Sequence, residues 1–86
     1  MPSPVTDTEA RQVQGTLRRV DVCRRELHLL VDGATFVCYV SPDCPVFANA
    51  ERVRLRLLQP DDCVRVEFSM NSGEAVATRV ALVWPS

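Results

Sequence analysis

The residues best suited to chemistry in this chain are four cysteines and its single histidine, His28. Thiolates and imidazole bind zinc, but structural zinc sites commonly use two close pairs of ligands spaced by two to four residues. Here only Cys38 and Cys44 lie near each other, and the other gaps are wide. The spacing favours ordinary thiols, with Cys38 a small core residue. A metal site on Cys23, Cys44, Cys63 and His28 is one alternative, and disulfides are another.

A copper site would draw on different residues. Imidazole and thioether groups suit Cu(I), and the chain offers His28, Met70 and the only tryptophan, Trp84. His28 stands between Leu27 and Leu29, which are predicted to point into the core, so the histidine is predicted to face the other way. Met70 opens a turn. Nothing in the sequence brings these groups together, and copper remains a minor alternative.

Arginine is the other residue type that could do chemistry. All ten basic residues are arginines, and a guanidinium binds phosphate through two parallel hydrogen bonds. Proteins that bind single-stranded nucleic acid set exposed aromatic rings beside a basic groove. Such a groove could combine Tyr39 with two groups of arginines: Arg18, Arg19, Arg24 and Arg25, and Arg52, Arg54 and Arg56. A net charge of −1 and only five aromatic residues argue against it, and a solvated arginine surface is the favoured interpretation.

Catalytic chemistry finds little support. The chain has one histidine, no serine–histidine–aspartate arrangement that can be placed, and no glycine-rich phosphate loop. The pair Asp61-Asp62 follows Pro60 and is typical of a turn. We therefore predict that the protein is not an enzyme and needs no cofactor.

The elements that would position these residues are short strands. Val64, Val66 and Phe68 alternate with Arg65 and Glu67, the pattern of a half-buried strand. Hairpin turns are predicted at Asp32-Gly33 and at residues 71–73. Strands are predicted over residues 12–20, 26–31, 35–40, 63–69 and 75–84, with a brief strand pair at 46–47.

Two positions in this pattern are special. Gly15, inside the first strand, predicts a bulge or a tight bend. Residues 51–58 fit a strand because arginines alternate with apolar residues, and they also fit a short helix; the strand is favoured. The prediction is an all-β, five- to six-stranded antiparallel barrel, with a short helix in the 48–58 connection as an option.

Length and composition bound the organisation of the chain. Its 86 residues make one domain, predicted as a flexible arm over residues 1–10 followed by a barrel over 11–86. The N-terminus lacks the pattern of a signal peptide, and no apolar run reaches the length of a membrane span. We expect a cytoplasmic protein with reduced thiols.

Four segments carry a resemblance to a family. They read V-x-G-T-L-x-x-V-D over residues 13–21, E-L-x-L-x-V-D-G over 26–33, L-x-P-D-D-x-V-x-V over 58–66 and A-x-x-V-A-L over 77–82. Together they resemble an uncharacterised family of bacterial OB-like small β-barrel domains. The family more often has Gly-Asp where this chain has Asp61-Asp62, and its members are often exported. The resemblance implies an OB-like barrel and names no activity.

The distribution of apolar residues suggests what the barrel does. His28 and Leu30, and likewise Val37 and Tyr39, lie opposite the rows predicted to point inward. A strand that is apolar on both faces is covered by a neighbour or buried in a partner. Small barrels commonly gain buried area by oligomerisation. We predict a binding or assembly module whose partner is a protein or a second copy, with no membrane partner.

Overall fold

The computed structural model describes residues 11–83, which form seven strands and one 3₁₀ turn. The strands are β1 (Arg11–Asp21), β2 (Glu26–Val31), β3 (Ala34–Val40), β4 (Val46–Ala48), β5 (Glu51–Val53), β6 (Cys63–Asn71) and β7 (Glu74–Val83), and the turn is Leu55–Leu57. Residues 1–10, predicted as an arm, and Trp84 lie outside the described residues. No helix within residues 11–83 is long and apolar enough to span a membrane.

Five of the strands close into a barrel in the order β1–β2–β3–β7–β6 and back to β1. The pairs are antiparallel except β3 with β7, where Cys38, Tyr39 and Val40 lie alongside residues 75–77 in parallel. The short hairpin β4–β5 is attached to the outside, because β4 pairs in parallel with the second half of β7. The predicted OB-like barrel is confirmed, with two outer strands added to it.

The tight turns follow from residues that tolerate positive φ. Asp32 and Gly33 have φ of 50° and 83°, and Ser72 and Gly73 have φ of 55° and 82°. Both central residues of a type I′ hairpin turn need this conformation. A third turn, Asn49-Ala50, joins β4 to β5, and its two residues have φ of 55° and 69°. It contains no glycine, so nothing in the sequence indicated a hairpin turn there.

The core is made by the inward rows of the five barrel strands. Leu17, Leu27, Leu29, Val64 and Val66 are completely buried. Phe36 and Phe68 are in contact, with ring centroids 4.9 Å apart. No polar or charged residue among those described is buried, so the interior is a purely apolar one.

The irregularity predicted at Gly15 is found three residues later. In the β1–β2 pairing Leu17 lies opposite Leu29 and Arg19 opposite His28, so Arg18 is the extra residue of the bulge. Gly15 has a different role, because a Cβ atom there would stand 2.5 Å from the carbonyl oxygen of Leu30. The glycine permits close approach of β2 to β1.

The ambiguous segment 51–58 contains both kinds of structure. Glu51–Val53 forms β5, and the chain then turns through the 3₁₀ turn Leu55–Leu57. Leu55 and Leu58 are buried, which explains the end of the strand. The two leucines reach the core only if the chain curls between them, since residues three apart share a face in a 3₁₀ turn.

Candidate functional site

An apolar patch lies on the outer surface of β2 and β3. Leu30, Val37 and Tyr39 are 38%, 42% and 40% exposed. Leu30 lies opposite Thr35, His28 opposite Val37, and Tyr39 is next to Val76 of β7. Leu30 and Val37 are diagonal neighbours, and Val37 and Tyr39 share one face of β3. We call this surface, formed by His28, Leu30, Val37, Tyr39 and Val76, the β2–β3 face.

Charged residues of opposite sign stand on the two sides of the β2–β3 face. On one side Arg19 of β1 pairs with His28, in the same row as Val37. On the other side, Ala75 of β7 pairs with Cys38 of β3. Because these two strands are parallel, the preceding residues, Glu74 and Val37, lie side by side. The Arg19 side chain is mostly exposed and lies 3.8 Å from Asp21. The row thus runs from a positive end at Arg19, across His28 and Val37, to a negative end at Glu74.

His28 is half-buried within this face. Its Nε2 lies 3.4 Å from Oε1 of Glu26, the residue two positions earlier on the same side of β2. The prediction that His28 points away from the core is confirmed, since Leu27 and Leu29 are fully buried.

The residues considered for a metal site are dispersed. Cys23 is exposed in the β1–β2 turn, Cys44 is buried after β3, and Cys63 begins β6 beside the Gln14 side chain, whose Nε2 lies 3.7 Å from Sγ. All four cysteines of the chain are free thiols in the structure. Within residues 11–83 no group of three or more histidine, cysteine, aspartate or glutamate residues could hold a metal ion. The structure does not bring Cys23, Cys44, Cys63 and His28 together.

Cys38 and Cys44 are the two protected thiols. Cys38 is 1% exposed, as the sequence predicted for a core residue. Burial, and to a smaller degree the neighbouring Cys44, raises the pKa of Cys38 to about 12. Burial also raises the pKa of Cys44, while Arg25 and Arg52 act in the opposite direction. Burial therefore favours the uncharged form of both thiols.

The first group of arginines is divided by the structure. Arg18, Arg19 and Arg24 are exposed, but Arg25 is held against the protein. Its Nε donates to the carbonyl oxygen of Val40 at 2.6 Å, and Nη2 donates to that of Ser41 at 3.1 Å. Arg25 fastens the β1–β2 turn to the end of β3.

The structure instead joins Arg25 to the second group. A cavity of about 480 Å³ opens between the β1–β2 turn, the loop after β3 and the segment that follows β5. Ten residues line it, and four of them are arginines: Arg25, Arg52, Arg54 and Arg56. We call it the arginine cavity. Sequence reasoning missed it because Arg25 is far from the other three in the chain, and only their alternation from 52 to 56 hinted at a shared surface.

Comparison with known proteins gives a likeness of fold. No protein-family model matches the sequence, and no curated protein matches it. Among solved structures, a CusF variant with Cu(II) from Escherichia coli superposes with a TM-score of 0.73 at 10% identity, covering 98% of this chain and 100% of that one. CusF with Ag(I) has a TM-score of 0.71 at 10% identity, covering 87% and 99%.

A further solved structure has the same barrel. The fimbrial biogenesis protein PilY2 from Pseudomonas aeruginosa superposes with a TM-score of 0.64 at 12% identity, covering 87% of this chain and 88% of that one. At such identities the likeness is one of fold.

Proposed function

We propose that this chain is a non-enzymatic binding module that self-associates through the β2–β3 face. The observation that carries the proposal is the continuous patch of Leu30, Val37 and Tyr39, each between 38% and 42% exposed. These side chains have no role inside the fold, and burying them against a partner removes them from water at a gain of roughly 25 cal/mol per Å².

The charges beside the patch favour a second copy as that partner. Arg19 and Glu74 stand at opposite ends of the row that contains Val37. In a two-fold dimer the same surface serves both subunits. A two-fold axis parallel to the strands, placed between β2 and β3, brings Arg19 of each copy to Glu74 of the other. When two copies meet in this way, the apolar residues of one face contact those of the other, and each positive charge lies opposite a negative one.

Sedimentation of the full chain at micromolar concentration tests the association. We expect a dimer, and Val37→Glu should give a monomer because it places a charge in the centre of the apolar contact. Leu57→Glu is the matched control, since Leu57 is 51% exposed and lies away from the β2–β3 face. A monomeric wild-type chain of 9.6 kDa overturns the proposal, as does a control that dissociates equally.

A charge exchange tests the geometry of the dimer. Arg19→Glu and Glu74→Arg should each weaken association roughly tenfold, since each change turns two attractive contacts into repulsive ones. The double variant Arg19→Glu/Glu74→Arg should recover most of the lost affinity, because the pairs are restored with reversed sign. If the double variant is as weak as the single ones, the two-fold arrangement described above is wrong.

Single-stranded nucleic acid is the alternative ligand for the same face, since barrels of this strand order use it in that way. Tyr39 is exposed there, but Arg25 is bound to Val40 and Ser41, and the other arginine group lies at the arginine cavity. We expect no binding of a labelled oligothymidylate at physiological salt. Micromolar binding that is lost in Tyr39→Ala would favour nucleic acid over a second copy.

Metal binding is a second alternative function, because two of the similar solved structures are of CusF with Ag(I) or Cu(II). Among residues 11–83 no group of three histidine, cysteine, aspartate or glutamate residues is placed to share an ion, which argues against such a site in this chain. His28 and Met70 are on different strands, β2 and β6, which do not pair with each other. We expect sub-stoichiometric copper, silver and zinc after purification without chelator. One equivalent of copper retained through gel filtration would restore the metal hypothesis.

A further inference from the structure

Four arginines and no acidic residue line the arginine cavity. We propose that it binds a small phosphate-bearing molecule of about the size of a nucleotide. This inference is independent of the proposed dimer, because the arginine cavity and the β2–β3 face share no residue.

The electrostatic balance of the cavity points to an anion. Arg52, Arg54 and Arg56 are exposed, and none of the four lining arginines forms an ion pair with a carboxylate within the described part of the chain, whose ion pairs are Arg19 with Asp21 and Glu26 with His28. Four like charges around one space repel each other. A ligand with two or more negative charges relieves that repulsion better than a single carboxylate.

Arg25 is the preorganised donor of the site. Two of its N–H groups are used by the carbonyl oxygens of Val40 and Ser41, which fixes the plane of the guanidinium. A guanidinium has five N–H donors in all, so three remain for a ligand. The side chain is already ordered in the folded protein, so ligand binding does not have to bear the entropic cost of ordering it.

Two of the arginines act on a neighbouring group, the thiol of Cys44. Burial raises the pKa of the Cys44 thiol, and Arg25 and Arg52 oppose that rise. Cys44 is itself part of the cavity wall. Arg25 and Arg52 thus favour negative charge at this part of the wall.

The remaining wall explains why the ligand should have an uncharged part. Val22, Val46, Val53 and Leu55 contribute apolar surface, and the volume of about 480 Å³ is within the usual range for small-molecule sites. An inorganic ion would leave most of this surface unused. A molecule that combines phosphate groups with a ring fits both halves of the lining.

Calorimetric titration of the full chain with three probes tests the proposal. We expect ADP and inorganic pyrophosphate to bind at low salt, ADP the more tightly, and adenosine to show no binding. Arg52→Ala/Arg54→Ala should weaken ADP binding by roughly tenfold or more, since bidentate guanidinium–phosphate contacts are strong. Both arginines are exposed, so the double variant should fold, and its circular dichroism should match that of the wild type.

The matched control is Arg18→Ala/Arg65→Ala, which removes the same net charge elsewhere. It should change ADP affinity less than twofold. In ¹⁵N-labelled protein the Nε–H signal of Arg25 should shift on ADP addition. The proposal fails if wild-type protein binds neither ADP nor pyrophosphate, or if the two double variants are weakened equally. Because Arg52→Ala/Arg54→Ala leaves the β2–β3 face intact, it should also retain the oligomeric state of the wild type.

Discussion

Leu17 and Asp61 are joined main chain to main chain. The Asp61 N–H donates to the carbonyl oxygen of Leu17 at 2.7 Å, and the Leu17 N–H donates to that of Asp62 at 2.7 Å. Asp62 also closes the turn, since its N–H donates to the Gln59 carbonyl at 3.1 Å and its Oδ2 accepts from the Gln59 N–H at 3.0 Å. The turn before β6 thus continues the β1–β6 pairing, although Asp61 has a φ of 80°.

This conformation makes Asp61 a site for stabilisation. Asp61→Gly should raise the free energy of unfolding by about 0.5–1 kcal/mol, because glycine adopts positive φ without steric cost and the hydrogen bond from Asp61 to Leu17 is a backbone one. Asp61→Val should lower it by about 1–2 kcal/mol, since a β-branched residue is poorly accommodated there. Urea unfolding of the two variants checks the opposite signs. Two variants of equal stability would show that residue 61 is not held at a positive φ.

Gly15 should tolerate no side chain. In Gly15→Ala the new Cβ would meet the Leu30 carbonyl oxygen at 2.5 Å and Cγ2 of Val31 at 2.7 Å. The first of these atoms is backbone, so β2 would have to move, at a cost of about 2–3 kcal/mol. Gly73→Ala is the control, because nothing lies within 4 Å of its Cβ position and only its φ of 82° opposes the change. Thermal unfolding should rank Gly15→Ala below Gly73→Ala.

Arg25 should matter through its hydrogen bonds rather than its charge. Arg25→Lys keeps the charge but cannot reproduce the two contacts to Val40 and Ser41, and we expect a loss of about 1.5–3 kcal/mol in unfolding free energy. The neighbouring Arg24→Lys, at an exposed position, should change stability by less than about 0.5 kcal/mol. Denaturant titration of both variants distinguishes the two. Similar small losses would mean that the carbonyl groups are equally well satisfied by water.

Cys38 should make the protein less stable in alkali. Its pKa rises from 9.0 to about 12 on folding because the thiol is buried, so above pH 9 the unfolded chain releases a proton that the folded chain retains. The stabilisation is complete below pH 9 and is lost progressively between pH 9 and 12. From pH 8 to pH 10 this thiol should account for roughly 1 kcal/mol of lost stability.

The measurement compares urea unfolding at the two pH values in wild type and Cys38→Val. The variant should lose roughly 1 kcal/mol less than the wild type over that interval, whatever its stability at pH 8. Parallel curves for the two proteins would show that Cys38 titrates normally.

The local parts of the fold could be predicted from the sequence because their causes are local. The turn at Asp32-Gly33 and the alternation of Val64, Val66 and Phe68 each depend on neighbouring residues, and the structure confirms them. The role of Gly15 could not be found in this way, because the atoms that demand a glycine belong to Leu30 and Val31 on another strand. A glycine within a strand pattern indicates either that a neighbouring strand approaches closely or that the strand itself bends, and the sequence does not distinguish the two.

In the candidate sites, too, features with local causes could be predicted and features that depend on distant parts of the chain could not. The outward position of Tyr39 follows from alternation along β3. The meeting of Arg25 with Arg52 depends on how the β4–β5 hairpin is placed against β7, a parallel pairing that no local pattern encodes. The sequence also showed no reason to separate Arg25 from Arg24, since the carbonyl groups that hold Arg25 are those of Val40 and Ser41.

The parallel contact between β3 and β7 has a consequence for how the chain folds. β1, β2 and β3 are connected by short turns, as are β6 and β7, so each group can form early from contacts close in sequence. The barrel closes only when residues 38–40 reach residues 75–77, which must await the ordering of the intervening chain. Until then β3 and β7 both present free edges, and such edges pair with other molecules. Refolding at high protein concentration should therefore give aggregates before it gives barrels, and dilution should restore the yield.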